Sequence, residues 1–213
     1  MQRVAELLLL LIVLTNFAVL GTARLGTCIR AIAVQGLLLG MLPLALHPAW
    51  SVHTIGLATG TIVIKAVLLP RFLAWAIREA AVRREVEPRI GYVASLLLGA
   101  VAVAVGFATA QALPLPDAAG SLLVAVALAT VIVGFLVLTT RIKALTQVVG
   151  YLMLENGIYV FGLTQSERVP FMVELGVLLD IFVGVFIMGI VVFHINREFD
   201  TLGDGKSMDL AGR

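Results

Sequence analysis

Long apolar runs separated by short polar stretches make up most of the 213 residues. A run of about 20 apolar residues crosses a hydrocarbon core. Seven such spans can be read, at roughly 4–21, 31–47, 52–76, 91–113, 118–140, 144–165 and 171–195. Only helices and closed barrels satisfy the backbone in lipid, and these runs lack the alternation of barrel strands. The pattern therefore predicts an all-α polytopic membrane protein. The first run also has marks of a signal peptide, with Arg3 before it and small residues at 21–23. Its removal would put most basic loops outside, so it is read as a retained span.

With seven spans the termini face opposite sides, and charge decides which is which. A cytoplasmic C-terminus leaves only Arg3 and Arg168 outside and Lys65 within a span, with the other twelve of the 15 basic residues inside. The positive-inside rule then places the N-terminus outside. Trp50 and Trp75 flank the third span as interfacial aromatics do. The stretch AWAIREAAVRREVEPR continues that span as a helix above the membrane, supported by the Glu79/Arg83 spacing and ended by Pro88. The chain divides into a four-helix region (1–117), a three-helix region (118–195) and a polar cytoplasmic tail (196–213). A repeat of Ile29-Arg30-Ala31 in Ile142-Lys143-Ala144 hints at a duplicated three-helix unit.

Composition narrows the chemistry. Lys and Arg exceed Asp and Glu by only 15 to 13, too little to suggest nucleic acid as a partner. Cys28 is the single cysteine, so no internal disulfide or cysteine-held cluster is available. His47, His53 and His194 fall at span ends, where no two can clamp a haem across the bundle. There is no phosphate-binding P-loop and no H-E-x-x-H. No cofactor or catalytic residue is expected in this chain. Gly36/Gly40 and Gly56/Gly60 have the G-x-x-x-G spacing that suits close helix contact.

Candidate chemistry lies in charges at bilayer depth, each of which costs roughly 2.5–3.5 kcal/mol on insertion scales. Glu155 and Asp180 sit near the middle of the last two spans. Gln147, Tyr151, Glu155 and Tyr159 recur every four residues, a stripe about 18 Å long on one helix face. The stripe reads as the wall of a hydrated proton path with Glu155 as its exchanging group, or as helix-packing glue around a protonated acid. Gly176 and Gly184 flank Asp180 and leave room for water or a close helix. Glu174 lies about 9 Å further out and faces elsewhere, as an outer relay or an interfacial acid. Lys65 is the one base at mid-depth, too deep to snorkel comfortably, and reads either as a working amine or as half of a structural ion pair. Pro70 provides a hinge or a kink below it. Burial opposes the charge of a carboxylate and a neighbouring cation supports it, and that contest suits a carboxyl group to load and release a proton.

GYLMLENG around Glu155, VELGVLLD ending at Asp180, the K-x-x-x-x-P element of Lys65 to Pro70 and the ending DTLGDGKSMDLAG resemble component E of the hydrogenase-4 type. These membrane-bound nickel-iron hydrogenases and formate hydrogenlyases are relatives of respiratory complex I. The last three spans also resemble the small K-type membrane subunit of bacterial complex I, with Glu155 and Asp180 at its two mid-membrane glutamates and Asp replacing Glu at the second. The resemblance implies a bacterial inner-membrane subunit between a peripheral hydrogenase or dehydrogenase arm and large antiporter-like subunits. Nickel-iron and iron-sulfur centres are then expected in the partners. It implies that the subunit passes protons or conformational and electrostatic signals along a buried polar axis; read from the residues, proton translocation would run through Glu155, Asp180 and Lys65, with Glu174, Tyr151 and Tyr159 along the route. The rival readings are a small subunit of a multi-subunit cation/proton antiporter and a structural membrane anchor.

Overall fold

The computed structural model describes residues 2–46, 51–79, 90–113, 118–164, 179–180 and 182–189. Among them the chain is all-helical: α1 (Gln2–Leu20), α2 (Leu25–Leu46), α3 (Val52–Thr61), a π segment (Ile62–Leu68), α4 (Leu69–Glu79), α5 (Tyr92–Ala112), α6 (Ala118–Thr140) and α7 (Ala144–Thr164). Residues 179–180 and 182–189 are also helical and carry Asp180. Five stretches are long and apolar enough to cross a membrane: Gln2–Leu20, Leu25–Leu46, Thr54–Arg78, Tyr92–Ala112 and Gly120–Thr140.

The expected second span starts at residue 31, whereas α2 already begins at Leu25 and so includes Arg30, exposed on its surface. Helix α3, the π segment and α4 run on without a break, and the helix continues past the expected end of the third span to Glu79. The rest of that extension, Glu174, Trp50, His47 and His194, most of the seventh span and the tail lie outside the described residues, as does the His53 side chain.

Local chemistry explains the ends and the one irregularity. Ser51 caps α3, its hydroxyl accepting from the Thr54 backbone N–H at 3.1 Å. In the π segment the ladder steps back five residues, and the Leu69 N–H reaches the Ile64 carbonyl. Pro70 follows at once. A proline inside a helix lacks a donor and crowds the carbonyl four residues before it, here Ala66, and the wider π turn accommodates that clash. The hinge-or-kink expectation at Pro70 thus takes the form of a π turn centred on Lys65.

Lipid tails are as apolar as leucine, so helices in a membrane are held by close packing and polar contacts. The packing here relies on small residues. On α5 the buried positions are Ser95, Gly99, Ala102, Gly106 and Ala110, one narrow seam, and its other faces are exposed. Helices α6 and α7 meet backbone to backbone: a Cβ added at Gly157 would lie 2.7 Å from the Val131 nitrogen, and Cβ atoms at Gly134 and Gly150 would strike the Leu154 and Leu138 backbones. Gly36 and Gly40 likewise bring α2 onto the third span, a Cβ at Gly36 falling 2.6 Å from the Lys65 carbonyl carbon. The other predicted glycine pair makes no such contact, since Gly56 and Gly60 face open space.

Helix α7 is the most enclosed element, with 14 of its 21 residues buried, and it is packed by α6 and α2. Helices α1 and α2 form one hairpin, α6 and α7 another, and α1 packs on α6 as α2 packs on α7.

Candidate functional site

Three charged side chains from three elements meet in the interior. The π segment delivers Lys65, α7 delivers Glu155, and the last helical stretch delivers Asp180. The Lys65 Nζ donates to Glu155 Oε1 at 2.5 Å and to Asp180 Oδ1 at 2.9 Å. All three residues are buried, at 4%, 1% and 4% exposure. Glu155 Oε2 is fully buried and has no hydrogen-bond partner among the described residues. Two acids and one base cannot all be ionised without leaving a net negative charge in low dielectric, where unbalanced charge is expensive. The neutral state of the cluster is one ammonium, one carboxylate and one carboxylic acid.

The predicted stripe on α7 divides at this cluster. On the Arg141 side, half-buried Gln147 and Tyr151 line a cavity of about 330 Å³ together with Leu138, Val148, Phe182, Val183 and Phe186. One turn beyond Glu155, buried Tyr159 shares a hydrogen bond of 3.1 Å with Thr61, one turn before Lys65. The structure therefore brings Lys65, Glu155, Asp180 and Tyr159 together and sets Tyr151 at the edge of a cavity. Glu174 lies outside the described residues.

A second polar group went unnoticed in the sequence. Asn156 Nδ2 donates to Gln35 Oε1 at 2.9 Å. Gln35 Nε2 donates in turn to Asn16 Oδ1 at 2.8 Å and to Thr15 Oγ1 at 3.0 Å, and Asn16 Nδ2 donates to Thr130 Oγ1 at 2.9 Å. This belt joins α7, α2, α1 and α6, and Asn156, Gln35, Asn16 and Thr130 are at most 2% exposed. Its available signal was an amide inside each of three apolar runs.

At one end of the bundle Arg141, between α6 and α7, is 1% exposed. Its Nη2 donates to the Leu20 carbonyl at the end of α1, 3.1 Å away, and its guanidinium carbon lies 5.7 Å from the Tyr92 ring centroid on α5. Nη1 has no partner among the described residues. Burial lowers its proton affinity from the usual arginine range, with Cys28 and Tyr92 acting the other way. An arginine nonetheless keeps its charge in proteins, so this residue fastens three helix ends rather than exchanging protons. Among the described residues no group of three His, Cys, Asp or Glu could hold a metal ion.

The chain is 31% identical over 191 residues to the uncharacterized protein Rv0085 of Mycobacterium tuberculosis, covering 88% of this chain and 87% of that one. It belongs to the Rv0085 family. This member of the Rv0085 family is also distantly similar to hydrogenase-4 component E, at 28% identity over 151 residues and 70% of each chain, for both the Escherichia coli and the Shigella flexneri proteins. No family model and no solved structure matches it. The expected likeness to component E is thus present as a distant relationship, and it supports a hydrogenase-related membrane protein.

Proposed function

We propose that the chain is a non-redox membrane subunit of a complex I-related hydrogenase or formate hydrogenlyase-type oxidoreductase, and that its buried carboxylates move protons in step with electron transfer in partner chains. The observation that carries this reading is the ammonium of Lys65 held between two buried acids on different elements, with the buried Glu155 Oε2 lacking a hydrogen-bond partner among the described residues. The distant similarity to hydrogenase-4 component E supplies the class of complex. In this reading the chain spans the bacterial inner membrane seven times, with its N-terminus outside and its C-terminus in the cytoplasm. The basic residues beside α2, α4 and α7 favour that orientation. The partners are antiporter-like membrane subunits and a peripheral arm holding nickel-iron and iron-sulfur centres.

In this reading each group has a role. A proton entering beside Gln147 and Tyr151 reaches Glu155 at its unpartnered oxygen. As Glu155 is protonated, Asp180 gives up its proton, and the Lys65 ammonium shifts its weight to the new carboxylate. Release from Glu155, with a proton returning to Asp180, restores the starting pair. Tyr159 and Thr61 hold the far side of Glu155's helix to the third span, and Glu174, which lies outside the described residues, is proposed from its position in the sequence as an outer relay. Each state keeps the cluster near neutrality, so no step leaves an unpaired buried charge.

Glu155→Gln and Asp180→Asn keep shape and remove the titratable group. In complex reconstituted into vesicles, each is expected to assemble normally and to abolish proton translocation. Unchanged translocation in both refutes the relay. Co-purification of the native particle with nickel-iron and iron-sulfur proteins is the expected companion result. A particle made only of cation/proton antiporter chains would refute the assignment to a hydrogenase.

A further inference from the structure

The dipeptide Gln35-Gly36 of α2 touches Lys65 itself and Asn156, the residue next to Glu155. Gly36 has no side chain, and the space a Cβ would need is filled by the Lys65 carbonyl group, at 2.6 Å from its carbon and 2.7 Å from its oxygen. The backbone of α2 therefore lies directly against the backbone of Lys65. One residue earlier, Gln35 accepts from Asn156, the residue next to Glu155 on α7. Two charged residues 90 positions apart in sequence are thus referred to adjacent positions of a third helix.

Gln35 is itself held. Both hydrogens of its Nε2 are committed, to Asn16 and to Thr15, and Asn16 passes the tie on to Thr130 on α6. Every link of the Asn156–Gln35–Asn16–Thr130 run donates in the same direction, and reversing the Gln35 amide would set donor against donor at Asn156. A satisfied polar network of this kind fixes one arrangement. Amides do not give up protons near neutral pH, so the belt is not a proton wire.

We infer that Gln35 is a positioning residue for the proton-exchanging cluster: it sets where Glu155 stands relative to Lys65, while Gly36 sets where Lys65 stands relative to α2. This inference rests on the proposed relay and assigns part of its geometry to a helix that contributes no ionisable group to it. Among the described residues, the titratable groups facing the cluster are Lys65 from the π segment, Glu155, Tyr151 and Tyr159 from α7, and Asp180 from the last helical stretch. Helix α2 meets the Lys65 backbone at Gly36 and Asn156 through the neutral amide of Gln35.

The test uses the assembled complex in vesicles and measures electron transfer and proton translocation across a pH series. Gln35→Met keeps the bulk of the side chain and removes both ends of the tie. A misplacement of 1 Å can cost up to roughly 100-fold. The variant is expected to translocate protons at least about tenfold more slowly, with a displaced pH midpoint and a normal amount of complex. Thr130→Val, at the remote end of the belt, is expected to shift the same midpoint by less. An unchanged pH profile in Gln35→Met refutes the inference. If Gln35→Met does not assemble, Gln35→Glu decides: it preserves the acceptor for Asn156 and keeps at most one of the two donor bonds to Asn16 and Thr15, and a wild-type profile there is equally fatal. Should Glu155→Gln and Asp180→Asn both translocate normally, the relay itself is wrong. A silent Gln35→Met beside a dead Glu155→Gln removes only the positioning role.

Discussion

Replacing Lys65 with methionine should be the most damaging single change in the buried cluster, more so than neutralising either acid. Lys65 holds Glu155 Oε1 at 2.5 Å and Asp180 Oδ1 at 2.9 Å, and all three groups are withdrawn from solvent. Removing one partner of a buried pair costs roughly 3–5 kcal/mol because it strands the other charge. Lys65→Met strands two carboxyl groups facing each other across an apolar thioether. Glu155→Gln strands nothing: Lys65 keeps Asp180, and the amide oxygen of the new side chain still accepts a neutral hydrogen bond in place of a charge-assisted one. That exchange costs about 1 kcal/mol. The double variant Lys65→Met/Glu155→Gln should lose less than the two singles predict, by about 1–3 kcal/mol, since the stranded Asp180 then has an amide partner. Apparent unfolding midpoints of the purified complex at a single scan rate and lipid composition give the order. If Lys65→Met melts no lower than Glu155→Gln, or if the double variant is strictly additive, the three groups do not share charge as described.

Smaller tests probe the scaffold. Gly157→Val would drive a side chain into the Val131 backbone and separate α6 from α7, so little folded protein is expected in the membrane fraction, whereas Gly56→Val faces open space and should accumulate normally. Arg141→Lys loses the planar contact with Tyr92 and the reach to the Leu20 carbonyl; a loss of about 1–2 kcal/mol is expected, read as a lower melting midpoint with translocation per assembled complex unchanged. Ser95→Ala removes a buried hydroxyl that has no partner among the described residues and should be neutral or slightly stabilising, within about 1 kcal/mol, by the same melting measurement.

The charged members of the cluster were legible in the sequence because Lys65, Glu155 and Asp180 interrupt long apolar runs, where a charge stands out. Their pairing was not legible. Partners 90 and 115 residues apart are joined by packing, and nothing in their local sequence says which acid meets the base. Lys65 pairs with both acids in the structure, and that geometry suits either reading of it, working amine or structural ion pair. Asn16, Gln35 and Asn156 were overlooked because a neutral amide in a span costs much less than a charge and disturbs the hydropathy little. The π turn was equally hidden: IVIKAVL is ordinary helix sequence, and only Pro70 beside it gives a reason for the ladder to widen there.

Helix α7 shows how burial and polarity depend on one another in this fold. It carries Gln147, Glu155 and Asn156 and is not among the five stretches apolar enough to cross a membrane. It is also the element most completely wrapped by its neighbours, through glycine contacts that bring α6 against its backbone. A helix with that composition facing lipid would leave a carboxyl and two amides without partners, at several kcal/mol each. The glycines of the α6–α7 contact, Gly134, Gly150 and Gly157, therefore do more than tighten the bundle. By closing the gap around α7 they make its interior a place where Glu155 meets an ammonium and Asn156 meets an amide, which is the condition for any exchange of charge at this depth.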